Sequence, residues 1–134
     1  MLHYRNKSKT YIIAEIGVNH NGSIEKAKYL IDLAKNSGAD AVKFQSFKAD
    51  ELARMHTPKV AYQEETMDES ISHQEMLRGL ELSEEGERAL FEYCSDVCID
   101  FISTPYSVDA VHRLDKIGVS EFKVASADII DIPM

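Results

Sequence analysis

Two nine-residue stretches of the chain align without a gap: Gly38-Ala39-Asp40-Ala41-Val42-Lys43-Phe44-Gln45-Ser46 and Gly118-Val119-Ser120-Glu121-Phe122-Lys123-Val124-Ala125-Ser126. Each follows an amphipathic helix pattern, and each sets a lysine inside a short apolar run. A glycine in that place suits the end of a helix, and the run after it has the length of a strand. A chain that repeats helix, glycine and strand is constrained to parallel strands joined by right-handed crossovers.

The remaining segments extend this cadence. Residues 11–17 read as a first strand, and Ser23 N-caps a first helix with Glu25 in its opening turn. Ile24, Ala27, Leu30, Ile31 and Ala34 recur at helical spacing. The second strand is Ala41 to Ser46. From Phe47 to about Leu82 the pattern weakens, and Thr57-Pro58, Glu64-Glu65 and Asp68-Glu69-Ser70 predict an exposed excursion with a short helix over 72–79. An insertion of that length is usually functional or mobile. Ser83 caps a second long helix with Ala89, Leu90, Tyr93, Cys94, Val97 and Cys98 inward, and residues 99–103 form a third strand. Ser107 caps a third, with Val108, Val111 and Leu114 inward and Gly118 at its end. Residues 121–125 then form a fourth strand. No linker or low-complexity stretch divides residues 1–134, which read as one domain.

Strand side chains alternate between faces. Val42 and Phe44 oppose Lys43 and Gln45; Phe122 and Val124 oppose Lys123 and Ala125. With the apolar faces under helices, the other face carries Glu15, Lys43, Gln45, Ser103 and Lys123. A doubly wound sheet would press these lysines against helices. A (β/α)8 barrel places alternate strands in one inner layer, with its active site at the C-terminal strand ends. The expected fold is therefore α/β, parallel βα repeats forming the N-terminal half of a (β/α)8 TIM barrel. A closed barrel takes about 250 residues, so four strands are either part of a longer chain or a half-barrel that pairs.

Desolvating an ammonium is costly, so lysines within apolar runs need a partner. Three readings are open: each pairs with a carboxylate such as Glu15, the two receive the charged groups of a small anionic substrate, or one is a Schiff-base nucleophile. His20, in Gly17-Val18-Asn19-His20-Asn21-Gly22, is either a turn residue before a helix cap or a substrate contact. Cys94 and Cys98 share a helix face and read as small residues packing inward. Clusters such as Glu84-Glu85-Glu87-Arg88 read as solvated helix faces.

A net charge of −8 argues against a nucleic-acid or anionic-membrane partner. No run of ~18 apolar residues occurs, and residues 1–9 lack the apolar stretch of a signal peptide. A cytoplasmic location is expected.

Several segments, taken in order, resemble the sialic acid synthase (N-acetylneuraminate synthase) family. They are Ile12-Ile13-Ala14-Glu15-Ile16-Gly17-Val18-Asn19-His20-Asn21-Gly22, Gly38-Ala39-Asp40-Ala41-Val42-Lys43-Phe44-Gln45, Glu75-Met76-Leu77 with Leu80-Glu81-Leu82-Ser83, Phe101-Ile102-Ser103-Thr104-Pro105, and Phe122-Lys123-Val124-Ala125-Ser126-Ala127-Asp128. The resemblance implies a transferase that condenses phosphoenolpyruvate with an N-acetylated hexosamine, usually N-acetylmannosamine. The products are a nine-carbon 2-keto acid and phosphate. It implies that Lys43, Lys123 and Ser126 bind phosphoenolpyruvate, that Gln45, Thr104 and Asp128 lie near the sugar or the reacting carbons, and that Glu15 lines the base of the site. The position of Asp128 is often Glu in the family. A divalent metal, Mn2+ or Mg2+, is implied for the full-length enzyme, with histidine ligands from later strands outside this chain, as is a homodimer capped by a C-terminal antifreeze-like domain. Both the later strands and that domain are expected to be absent from these 134 residues. Residues 58–63 and Glu75-Met76-Leu77 look more like the neuraminic and legionaminic branches than the pseudaminic one.

Overall fold

The computed structural model describes residues 10–55 and 73–133. The elements run β1 (Ile13–Gly17), α1 (Ile24–Asn36), β2 (Ala41–Ser46), α2 (Ala49–Met55), α3 (His73–Leu80), α4 (Glu84–Asp96), β3 (Asp100–Pro105), α5 (Val108–Ile117) and a 3-10 turn (Ser126–Ile130). The strands form one parallel sheet in the order β1-β2-β3. This is the expected architecture of parallel βα units.

The helix starts fall where serines predicted them. Ser23, Ser83 and Ser107 accept hydrogen bonds from the backbone N–H groups of Lys26, Gly86 and Ala110, which satisfies donors that the first turn leaves free. The helix ends are alike too. In each, an N–H two residues past the last turn reaches back over it: Ala39 to the Ala34 carbonyl, Ile99 to Cys94, and Val119 to Leu114, all at 3.0–3.1 Å. The left-handed residue that makes this possible is Gly38, Cys98 and Gly118 respectively.

The core lies between the sheet and α1, α4 and α5. Ile16, Val42, Phe44 and Phe101 meet Ala27, Ile31, Leu90, Cys94, Leu114 and Ile117. The Phe44 and Phe101 rings stack at 5.3 Å, and Phe91 meets Phe101 edge-on at 5.9 Å. A second, smaller cluster of Phe47, Ala49 and Leu77 ties α2 and α3 to the C-terminal strand ends, with Val18, Leu52, Met76, Leu80 and Tyr106 packed against it.

Several expectations are corrected. The fourth strand, expected over 121–125, is reduced to one bridge between Phe122 and Ser103, with the Lys123 N–H donating to the Ser103 carbonyl at 2.9 Å. This segment has β3 on one side, and nothing among the described residues pairs its other edge. The third strand runs from Asp100 to Pro105 rather than over 99–103. Its faces are also exchanged. Val42 lies beside Phe101 and Phe44 beside Ser103, so Ser103 faces the helices, while Ile102 and Thr104 join Lys43 and Gln45. The excursion holds a helix that its seven residues were too few to announce, α2. Thr57-Pro58, Glu64-Glu65, Asp68-Glu69-Ser70 and residues 58–63 lie outside the described residues.

Glu87 is not on a solvated face. It is 2% exposed, and one oxygen accepts from Arg113 of α5 at 2.8 Å. In α5 the buried stripe is Ala110, Leu114 and Ile117, and Val108 is exposed. Cys94 packs inward as expected, and burial pushes its thiol up to about 12. Cys98, past the helix end, is exposed. Among the described residues no helix is long and apolar enough to cross a membrane.

Candidate functional site

The face of the sheet away from the helices is polar toward its C-terminal end. In register across it, Glu15 lies beside Lys43, and Gln45 beside Thr104. The ladder shifts between Glu15 and Gly17, which turns the chain after Glu15 and leaves Gly17 without a side chain above the pair. A Cβ there would stand 3.1 Å from Glu15 Oε1 and 3.4 Å from Gln45 Nε2.

Lys43 Nζ forms an ion pair with Glu15 Oε2; the lysine side chain is 16% exposed and the glutamate's 48%. The carboxylate reading of the buried lysine is thus realised for Lys43. Lys123 differs. Its side chain is exposed, although the Phe122 bridge keeps it on the same face of the sheet. Ser126 is exposed as well.

The oxygens at this end that are buried without a hydrogen-bond partner include Thr104 Oγ1 and Asp128 Oδ2, with Glu51 Oε2 of α2 in the same condition. Thr104 is 1% exposed and Asp128 5%. The 3-10 turn, started by an N–H from Asp128 to the Ala125 carbonyl, carries the carboxylate inward. A buried polar atom left unpaired costs about 1–3 kcal/mol, so a pair of them at the strand ends marks a place shaped for something with hydroxyl or amide groups.

Sequence reasoning missed Tyr106, two residues beyond Thr104. Its phenol is pushed up by burial and by the Asp128 and Glu15 carboxylates. The signal was available, since residues 102, 104 and 106 share a face once Phe101 is assigned to the core. His20 does not line the opening. It is fully buried, with its ring 6.0 Å from that of Phe44 and its Nδ1 accepting from the Gly22 N–H. Burial lowers its pKa and Lys26 lowers it further, while the Gly17 backbone opposes them. It sits in the turn before the helix cap, and its buried Nε2 has no hydrogen-bond partner. Gly22 beyond it lets the loop touch α3, where a Cβ would stand 2.5 Å from the Gly79 carbonyl oxygen.

Among the described residues of the excursion, two basic side chains are engaged. Lys48 pairs with Glu81 at 2.7 Å and Arg78 with Asp50 at 2.8 Å. Burial would raise the Glu81 pKa, but the Ala49 N–H and the Lys48 ammonium outweigh it and hold the group low. A cavity of about 600 Å3 opens at the opposite end of the sheet, lined by Tyr11, Asp40, Cys94, Asp100 and Glu121 among others. The Tyr11 hydroxyl donates to Asp100 and the Ile12 N–H to Asp40. That end of a βα barrel serves stability rather than chemistry, so the cavity does not outweigh the orphaned groups at the other end. Among the described residues no group of three or more His, Cys, Asp or Glu side chains is arranged to hold a metal.

Parallel βα units with a polar face at the C-terminal strand ends define the class: a segment of a βα barrel. The chain belongs to the NeuB family, whose model matches residues 30–134. It is 46% identical over 123 residues to an N,N'-diacetyllegionaminic acid synthase of Legionella pneumophila, covering 92% of this chain and 35% of that protein. It is 36% identical over 129 residues to the human N-acetylneuraminate-9-phosphate synthase, covering 92% of this chain and 34% of the other. Its fold matches the crystal structure of an N-acetylneuraminic acid synthetase from Leptospira borgpetersenii, in complex with citrate, with a TM-score of 0.74 and 30% identity. That match covers 92% of this chain and 38% of the other. The chain thus spans little more than a third of each of these proteins, and it corresponds to the N-terminal part of the barrel.

Proposed function

We propose that the chain carries part of the active site of a synthase. The enzyme joins phosphoenolpyruvate to the open-chain aldehyde of an N-acetylated hexosamine, N-acetylmannosamine or a related sugar, and yields a nine-carbon 2-keto acid and phosphate. The observation that carries this reading is the grouping of Lys43, Gln45, Thr104 and Asp128 at the C-terminal strand ends, two of them with buried oxygens that lack partners. Membership of a family with sugar-acid synthases among its relatives supports it.

Phosphoenolpyruvate brings a phosphate and a carboxylate, and lysine is a compact point charge for either. Lys43 is held in place by Glu15, whose half-exposed side chain can turn to solvent when an anion takes the ammonium. Lys123, on the same face and exposed, supplies the second charge, with Ser126 and Thr104 as hydroxyl donors. The enolpyruvate C3 forms a bond to the aldehyde carbon, and the aldehyde oxygen takes a proton. Water adds at C2, and the resulting tetrahedral carbon loses phosphate by C–O cleavage. Gln45 can donate to the aldehyde oxygen, and Asp128 can accept from a sugar hydroxyl.

The test is phosphate release from phosphoenolpyruvate plus N-acetylmannosamine by a polypeptide of the relatives' full length carrying this segment. Lys123→Ala is expected to abolish it. An unchanged rate would sink the anion-site assignment.

A further inference from the structure

The inner face of the sheet ends in an aromatic step. Lys43, Gln45 and Phe47 follow one another on one side, and Ile102, Thr104 and Tyr106 on the other. Register pairs Lys43 with Ile102 and Gln45 with Thr104. The ladder carries on one residue further, because the Tyr106 N–H donates to the Ser46 carbonyl at 3.0 Å. Phe47 and Tyr106 then meet edge to face, with centroids 6.3 Å apart and planes at 86°. Tyr106 is thereby fixed between the α2–α3 layer and the polar opening, and its ring is half-buried.

Two groups near it are incomplete. Asp128, close enough for its charge to act on the phenol, has its Oδ2 buried with no partner, and Thr104 Oγ1, two residues before Tyr106 on the same strand face, is in the same condition. We propose that Tyr106 is a specificity-determining residue of the sugar end of this site: its phenol donates to a substrate hydroxyl that in turn donates to Asp128 Oδ2. A hydroxyl accepts and donates through a single oxygen, which suits a bridge between the two groups, so the ligand class is a polyol. Burial and the carboxylates of Asp128 and Glu15 keep the phenol protonated, and so a donor. A site built to hydrogen-bond a hydroxyl discriminates sharply against an analogue that lacks it.

This assignment rests on the synthase reading, and one experiment separates the two. In the full-length polypeptide, Tyr106→Phe keeps the ring on Phe47 and removes only the hydroxyl, so the melting temperature should hold. The KM for N-acetylmannosamine is expected to rise roughly tenfold, with the KM for phosphoenolpyruvate unchanged. If the parent turns over but neither KM moves, or both move together, the Tyr106 assignment is overturned and the synthase reading stands. If the parent releases no phosphate in response to the sugar, the synthase reading falls and takes the assignment with it.

Discussion

Lys43 and Lys123 occupy the same place in two copies of one short pattern, yet they meet different surroundings. Lys43 stands in the middle strand of the sheet, with Glu15 of β1 in register on one side and Ile102 of β3 on the other. Lys123 has β3 alone beside it, through a single bridge, and its side chain is exposed. The flanking residues diverge in the same way: Val42 and Phe44 are buried, whereas Phe122 is 38% and Val124 59% exposed. The pattern decides which face a lysine takes. Neighbouring strands and a covering helix decide whether it is buried and paired.

The largest effect that tests this contrast comes from truncating the apolar neighbour of each lysine. Phe44→Ala is expected to destabilise the fold by about 3–5 kcal/mol, measured by urea denaturation. Val124→Ala should stay within about 0.5 kcal/mol, and equal losses would erase the distinction between the two regions.

A smaller effect sharpens the account of Lys43's surroundings. His20 packs on Phe44 and its pKa is lowered from 6.5, so the unfolded chain binds a proton more readily than the folded one. Its contribution to stability is present above about pH 6.5 and is lost as the pH falls toward the lowered value. Denaturation at stepped pH should show that loss, and His20→Asn, which keeps an acceptor for the Gly22 N–H, should flatten it. A wild-type profile with no slope below that pH would remove His20 from the packed region.

The smallest effect concerns the residues that introduce the strands. Gly38 and Gly118 take left-handed backbone angles freely, whereas Cys98 holds φ +56° with a side chain. Cys98→Gly should stabilise the protein by about 0.5–1 kcal/mol, visible as a higher urea midpoint. A lower midpoint would mean that the Cys98 side chain makes up for its backbone.

The serine caps, the helix-ending glycines and the second strand were legible because they depend on residues close in sequence. The face of Lys43 followed from alternation alone. The fourth strand was not legible, since a strand is completed by neighbours and its own residues say nothing of them. Ser103 was placed on the wrong face because a hydroxyl beneath helices is permitted only with a partner, and that partner is Ser46. Glu87 was hidden in the same way by Arg113. Among the site residues, Glu15, Lys43 and Gln45 lie on the face that alternation gave them, whereas Thr104 joins them only through the exchange of faces in β3. The lack of partners at Thr104 and Asp128, and the place of Tyr106 beside them, needed three dimensions.

The Ser46 and Ser103 hydroxyls lie 2.7 Å apart, both within the core and on adjacent strands. Replacing one by alanine strands the other in an apolar setting, while replacing both removes the need for any partner. To selection the two positions are therefore one character with two good states and a poor intermediate. A lineage moving between the polar and the apolar state has to cross that intermediate or change both residues together, and sites 46 and 103 should drift through evolution as a pair.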